Sequence, residues 1–224
     1  MSHKILVATT NPGKLREIRQ MLGGDIEWMS LSDFPDIPEI EEDGATFAEN
    51  ARKKALGYAK STGLWTLADD SGLVVDTLGG QPGVKSARFA DLPQRHKDTK
   101  MKDIETKLKK TGSEERQIID KKNIEKLLGM LEGIPEEERT ARFVCCICLA
   151  SPERILIETE GKLEGVIIPV PIGENGFGYD PVFRVPHLNK TVAQLTAEEK
   201  NSISHRGSAI RKLEPLIKNL LKRD

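Results

Sequence analysis

Cysteine is scarce, and the three present crowd together as Cys145-Cys146-Ile147-Cys148. The run contains a Cys-x-x-Cys spacing, but no second such pair exists to complete a zinc site. It lies in a β-like stretch from Arg142 to Ala150, where alternate side chains face opposite ways, so Cys145 and Cys148 diverge. The expectation is buried, apolar cysteine. Charge of one sign is lacking too. The formal net charge is -1, so no global basic field suggests DNA or RNA as a partner. Long apolar runs are missing, which excludes a membrane-spanning helix. Met1 to Ala8 begins a strand without a signal-peptide core or cleavage site, and a cytoplasmic location is the expectation. There is no internal repeat and no clear linker. A chain of 224 residues suffices for one large domain or two small lobes around a cleft.

What is present alternates strand and helix patterns. Lys4 to Thr10 is an apolar strand, Asn11-Pro12-Gly13 a turn, and Lys14 to Leu22 has helical spacing with Leu15, Ile18 and Leu22 on one face. A short strand follows at Ile26 to Met29, then a proline-rich acidic loop. Thr46-Phe47-Ala48-Glu49 is a capping box that opens a helix. Phe47, Ala51, Ala55 and Tyr58 form its inward stripe, and Lys54 falls on that stripe. A lysine there either snorkels outward or faces an anionic cavity. Residues 94–122 are strongly charged and lack a clean apolar face. They read as solvated helix with a turn near Gly112-Ser113, tethered to a better helix from Asn123 to Leu131. Ala141 to Ala150, Ile155 to Glu160 and Leu163 to Pro169 read as three antiparallel strands. Thr196-Ala197-Glu198-Glu199 opens a terminal helical region in which Pro215 should kink the helix or begin a new turn. The class is α/β.

Five stretches carry chemistry. Trp65 to Ala68 reads as a short strand running into Asp69-Asp70-Ser71-Gly72, which suits either a ligand site or a plain surface turn. Adjacent carboxylates repel, so a metal ion, a lysine or solvent must compensate them. Thr9-Thr10-Asn11-Pro12-Gly13-Lys14 is a strand-to-helix turn whose free N–H groups and lysine suit a triphosphate, although no Walker A pattern is present. Glu41-Glu42-Asp43-Gly44 either supplies oxygen ligands to Mg2+ or favours a helix N-terminus. Gly176-Phe177-Gly178-Tyr179-Asp180-Pro181 is either a nucleotide loop with aromatic faces for stacking or a glycine hairpin with aromatic plugs. Lys200 with Ser204-His205-Arg206-Gly207 is either a phosphate and base contact or a plain helix surface.

Taken together and in this order, these stretches resemble the inosine triphosphate pyrophosphatase family, purine nucleoside triphosphate pyrophosphatases acting on dITP, ITP and XTP. The matching segments are Thr9-x-Asn11-x-x-Lys14, Thr46-Phe47-x-Glu49-Asn50-Ala51, Ala68 to Leu73, Pro82-Gly83-x-x-Ser86-Ala87-Arg88, Gly176 to Pro181 and Ser204 to Gly207. The resemblance spans nearly the whole chain. It implies a single unit over 1–224 with a mixed, elongated, curved sheet, flanking helices and two lobes around a nucleotide cleft. A homodimer is implied, with no nucleic-acid or membrane partner.

The implied reaction converts a deaminated purine nucleoside triphosphate to the monophosphate and pyrophosphate, clearing it from the nucleotide pool. Mg2+ is implied, one per subunit, with Mn2+ as a substitute. Glu42 and Asp70 would hold the metal. Asp70, Lys14 and Lys54 would be catalytic, with Asp70 activating water. Thr9, Thr10, Asn11, Lys14 and Ser71 would hold the phosphates. Phe177, Gly178, Tyr179, Asp180, Lys200, His205 and Arg206 would frame the base and the rest of the nucleotide. A donor aimed at the purine 6-oxo group would face the 6-amino donor of adenine, so Arg206→Ala should narrow the gap between ITP and ATP. Rejection of guanine needs a separate device near the 2-position.

The chain departs from the family at Glu174-Asn175, at Pro215 and in a charged extension at about 91–120, which is expected at the periphery or a dimer edge. Two other readings stay open. One is a pyrophosphatase for modified pyrimidines or other damaged nucleotides. The other is a nucleotide sensor that binds without releasing pyrophosphate.

Overall fold

The computed structural model describes residues 3–9, 12–23, 26–90 and 112–222. Strand β1 (His3–Val7) is followed by helix α1 (Pro12–Leu22) and β2 (Ile26–Ser30). After an irregular stretch come α2 (Phe47–Thr62) and β3 (Trp65–Val75), then α3 (Gly112–Met130). The long strands β4 (Thr140–Ala150) and β5 (Ile155–Ile167) lead to short β6 (Phe183–Val185) and β7 (Lys190–Thr191). Two helices, α4 (Ala197–Ile203) and α5 (His205–Leu221), complete the order. The strands form a seven-stranded mixed sheet in the order β2-β1-β3-β4-β5-β6-β7. The β2-β1-β3 portion is parallel, and every pairing from β3 onward is antiparallel.

Apolar side chains gather in three places. Ile5, Val7, Leu67, Cys145 and Ile147 meet Ile18 of α1 and Ile210, Leu213 and Ile217 of α5 on one face. Leu6, Ala68, Cys146 and Cys148 meet Ala51, Ala55 and Tyr58 of α2 on the other. A third cluster joins Leu73, Val75 and Phe143 to Ile124 and Leu127 of α3, with Tyr179 and Phe183. The cysteines behave as strand alternation requires: Cys145 faces one helical layer, and Cys146 and Cys148 the other. All three are free and buried, and burial pushes the Cys146 and Cys148 thiols up to about 12.

Helix α2 starts as its capping residues dictate. Thr46 Oγ1 accepts from the Glu49 amide at 3.2 Å, while Glu49 Oε2 reaches one residue further back, to the Ala45 amide at 2.7 Å. The helix expected from Asn123 is not a separate one, because α3 runs unbroken from Gly112 to Met130; residues 91–111, which precede it, lie outside the described residues. The stretch from Asn123 is its apolar end, where Ile124 and Leu127 enter the core. The terminal region is two helices. Ser204 is extended at φ -64°, ψ 154°, and its hydroxyl caps α5 by accepting from the Gly207 amide at 3.0 Å. Pro215 lies inside α5, which continues to Leu221.

The pair of strands expected at 155–169 is one strand, β5, with Gly161 in its interior. A Cβ at Gly161 would overlap the His205 carbonyl oxygen and the Ala209 amide nitrogen. The glycine therefore marks the close passage of α5 over β5 and not a reversal of the chain. Both obstructing atoms are backbone. Gly161→Val should cost about 1–3 kcal/mol or more, measured as a drop in urea midpoint without a change in slope. An unchanged midpoint would mean that α5 does not sit flush on β5.

Candidate active site

Strand β1 pairs with β3 only as far as Val7 opposite Leu67, and one further amide, Ala8, reaches the Leu67 carbonyl at 2.8 Å. Beyond that point β1 turns away toward α1, and β3 continues alone on that side. Asp69, Asp70 and Ser71 lie in this exposed stretch of β3, still paired to Ile147, Cys146 and Cys145 of β4. The Asp-Asp-Ser-Gly segment is thus the middle of a long strand and not a turn. A ligand crevice at the end of parallel strands is the usual consequence of such a divergence.

Strand alternation separates the two carboxylates. Asp69 turns toward α1 and α5, where Lys14 Nζ lies at 2.8 Å and Arg206 Nε at 3.4 Å. Asp70 turns toward α2, where Asn50 Nδ2 donates at 3.0 Å and Lys54 Nζ lies at 3.9 Å. Burial alone would raise the Asp69 carboxyl. Lys14, Arg206 and Lys54 outweigh burial and hold it well below the usual carboxylate range. Asp70 moves the other way: burial raises it, and Lys54 and Asn50 offset only part of that. One strand therefore presents a firmly ionised carboxylate and a more basic one.

Lys54 is buried and does not snorkel, the second of the two outcomes open to its place on the α2 stripe. Its ammonium bonds Glu42 Oε2 at 2.7 Å and the Asp69 carbonyl at 2.8 Å. Burial would lower Lys54, but Asp69, Asp70 and Glu42 more than reverse that and keep it charged. Asn50 completes the frame. Its amide donates to Asp70 while its oxygen accepts from the Gly44 amide at 2.7 Å, next to the Glu42 loop. Glu42 and Asp70 thus converge on one lysine. Among the described residues no three His, Cys, Asp or Glu side chains group as a metal site. Two carboxylate donors fit a hard divalent cation that takes its remaining ligands from water and substrate phosphates.

At the other end, Asp180 Oδ2 accepts from the Phe177 amide at 2.9 Å and from Lys200 Nζ at 2.8 Å. Gly176 is obligatory, since a Cβ there would collide with the Asp180 carboxylate. Lys200 Nζ lies 4.3 Å from the centre of the Phe177 ring, and the Arg206 guanidinium 5.8 Å from it. His205 stacks on Phe143 at 4.9 Å. Its Nδ1 has no hydrogen-bond partner among the described residues. Burial and the cations Arg206, Lys200 and Lys14 hold its pKa well below the ordinary histidine value, so the ring is neutral. Tyr179 is turned into the core, with its hydroxyl on the Ser86 carbonyl at 2.9 Å.

Arg206 is almost wholly buried, and each of its nitrogens is engaged: Nη1 with Glu17 at 2.5 Å, Nη2 with Ser71 Oγ at 3.1 Å and Nε with Asp69. These groups line one cleft of about 540 Å3, a volume ordinary for small-ligand sites. Thr9, Lys14, Glu42, Lys54, Asp70, Ser71, Phe177, Gly178, Tyr179, Asp180, Lys200, His205 and Arg206 all border it. Thr10 and Asn11 lie outside the described residues. Glu174 is exposed and not in the cleft wall, and Asn175 fastens the loop through the Leu195 carbonyl at 3.1 Å.

Four polar residues of the site escape sequence reasoning. The sequence marks Asp69 only as half of a pair. Glu17 lies one turn past Lys14, the i,i+3 signal that could have found it. Asn50 stood in a motif without a role. Asp120 had no signal at all, because its segment lacks pattern. Arg116 and Asp120, at the end of the charged extension, line the cleft; residues 91–111 of that extension lie outside the described residues.

A mixed α/β sheet whose parallel edge opens onto a cleft of lysines, carboxylates and a glycine-rich aromatic loop defines an α/β protein built to handle small anionic ligands. A model of the Ham1 family matches residues 5–119 and 111–216, and the chain belongs to that family. A dITP/XTP pyrophosphatase of Desulforamulus reducens is 46% identical over 218 residues, covering 97% of this chain and 96% of that protein. One of Geobacter sulfurreducens is 48% identical over 208 residues, covering 92% of each. A HAM1 protein from Coxiella burnetii has a solved structure that superposes with a TM-score of 0.79. It is 37% identical and covers 97% of this chain and 99% of its own.

Proposed function

We propose that this protein hydrolyses deaminated purine nucleoside triphosphates, dITP, ITP and XTP, to the monophosphate and pyrophosphate, removing them from the nucleotide pool. The observation that carries the reading is Asp70. A buried, upshifted carboxylate stands 3.9 Å from a buried lysine, in the wall of a cleft that an aromatic loop also lines. The near full-length similarity to curated dITP/XTP pyrophosphatases supports the substrate class.

In this reading water attacks the α-phosphorus. A new P–O bond forms, the α–β bridging P–O bond breaks, and pyrophosphate leaves with the bridging oxygen. Asp70 orients the water and takes its proton. Lys14 and Lys54 meet the phosphate charge, and Asp69 and Glu42 hold those ammonium groups at the positions where phosphate oxygens arrive. Phe177 stacks on the base, with Lys200 and Asp180 fixing its loop. His205, neutral, offers one ring nitrogen as donor and the other as acceptor. Mg2+ is the proposed cofactor, held by Glu42 and Asp70. When bound it would supply charge neutralisation at the phosphates and a more acidic water. A single unit with two lobes around the cleft, a homodimer and a cytoplasmic setting belong to the same proposal and rest on the family resemblance. Among the described residues no helix is long and apolar enough to cross a membrane.

The test is pyrophosphate release from ITP, dITP, XTP, dUTP, GTP and ATP, with and without Mg2+. The expected result is fast, Mg2+-dependent release from the first three, with ATP and GTP slow. Tight dITP binding with no release would favour a sensor, and preference for dUTP would move the substrate class. The same panel on Arg206→Ala decides its part in base choice: an unchanged ITP/ATP ratio leaves it a buried ion-pair partner only.

A further inference from the structure

Helix α3 enters the cleft wall through a side chain that the proposed chemistry does not use. Asp120 Oδ2 accepts a hydrogen bond from the Gly178 amide at 2.7 Å, and only 15% of the Asp120 side chain is exposed. Both residues border the cleft. The preceding amide, Phe177, is held by Asp180 at 2.9 Å. Two successive peptide N–H groups flanking the stacking ring are therefore each fixed by a different carboxylate. Gly178 sits at φ 62°, a left-handed conformation with no side chain of its own to hold it.

The support behind Asp120 is firm. One turn further along α3, Asn123 Oδ1 accepts from the Ala90 amide at 2.8 Å, and its Nδ2 donates to the Ser86 and Ala87 carbonyls at 3.3 Å. The Ser86 hydroxyl in turn accepts from the Leu73 amide of β3 at 2.9 Å. A chain of hydrogen bonds thus runs from the strand that carries Asp70 through α3 to the loop that carries Phe177. Arg116 Nε lies 3.8 Å from the Asp120 carboxylate.

We propose that Asp120 is a positioning residue of the base loop: by holding the Gly178 amide it sets the orientation in which Phe177 meets the purine. This rests on the nucleotide reading of the cleft. What fixes the glycine peptide is an acceptor oxygen at short hydrogen-bond distance from its amide, 2.7 Å, and stacking depends on ring orientation.

The experiment compares wild type, Asp120→Ala and Asp120→Asn by three measurements. These are steady-state kinetics with dITP, calorimetric dITP affinity without added metal, and hydrogen exchange of the Gly178 amide by NMR. Asp120→Ala should raise KM and Kd by about ten-fold, the order set by one stacking contact, with kcat within about two-fold and faster Gly178 exchange. Asp120→Asn keeps an acceptor oxygen and should restore all three to near wild type. Unchanged KM, Kd and exchange in Asp120→Ala would overturn the proposal. So would equal shifts in both variants, which would indicate a charge effect, or a loss confined to kcat. A wild type that releases no pyrophosphate from dITP would instead sink the pyrophosphatase reading. Affinity and Gly178 exchange would then still decide the role of Asp120.

Discussion

Asp70→Asn should lower kcat for pyrophosphate release from dITP by roughly 10²–10⁴-fold, the usual contribution of a positioned general base. The substitution preserves size, and its amide oxygen can still accept from Asn50 Nδ2, now 3.0 Å from the carboxylate. The fold should therefore survive, and KM should change little compared with kcat. The choice of Asp70 over Asp69 is a matter of electrostatics. Asp69 is surrounded by Lys14, Arg206 and Lys54 and is too weak a base to take a proton from water. Asp70 is more basic because burial outweighs Lys54 and the Asn50 hydrogen bond. Near-normal turnover of Asp70→Asn at saturating Mg2+ would remove it from the chemistry.

Asp69→Asn should have the larger effect on stability. It strips a buried anion from between Lys14 and Arg206. Breaking a buried pair in this way costs about 3–5 kcal/mol. In a chain of this size that is a drop in Tm of roughly 6–20 °C. The pH dependence follows from the direction of the shift. The folded carboxyl is held well below its unfolded value near 3.8, so the unfolded state binds the proton more readily. The contribution is complete above that value and is lost as pH falls through the folded pKa. Unfolding experiments should find the full gap between wild type and variant at pH 7, narrowing below about pH 4. A gap under about 1 kcal/mol at pH 7 would mean that the Asp69 pairs merely offset their own desolvation.

How far the site was legible depends on the range of the interaction that made each feature. Lys54 was legible because a 3.6-residue period put it among Ala51, Ala55 and Tyr58, and the buried ammonium found there bonds Glu42 and Asp69. The diverging cysteines were legible because a strand has a period of two. The break expected after Ala68 was not there. Asp, Ser and Gly favour turns in isolation, and pairing to β4 overrides that local preference. Gly161 misled in the same way: a glycine reads as punctuation until the helix lying against it is seen. Asp120 was invisible, since its partner, the Gly178 amide, is 58 residues away along the chain.

The sequence by itself determined the α/β class, the place of Lys54 on the inward stripe of α2, the capped helix starts and the family, because these depend on local periodicity and on short segments in order. Only the tertiary structure decided that neighbouring Asp69 and Asp70 take opposite faces of one strand and so acquire opposite acidities. It also decided that Arg206 is spent on Glu17, Asp69 and Ser71, and that α3 reaches the base loop. Those outcomes are set by which charges meet across the fold and how much water is excluded around them, and neither quantity is carried by spacing along the chain.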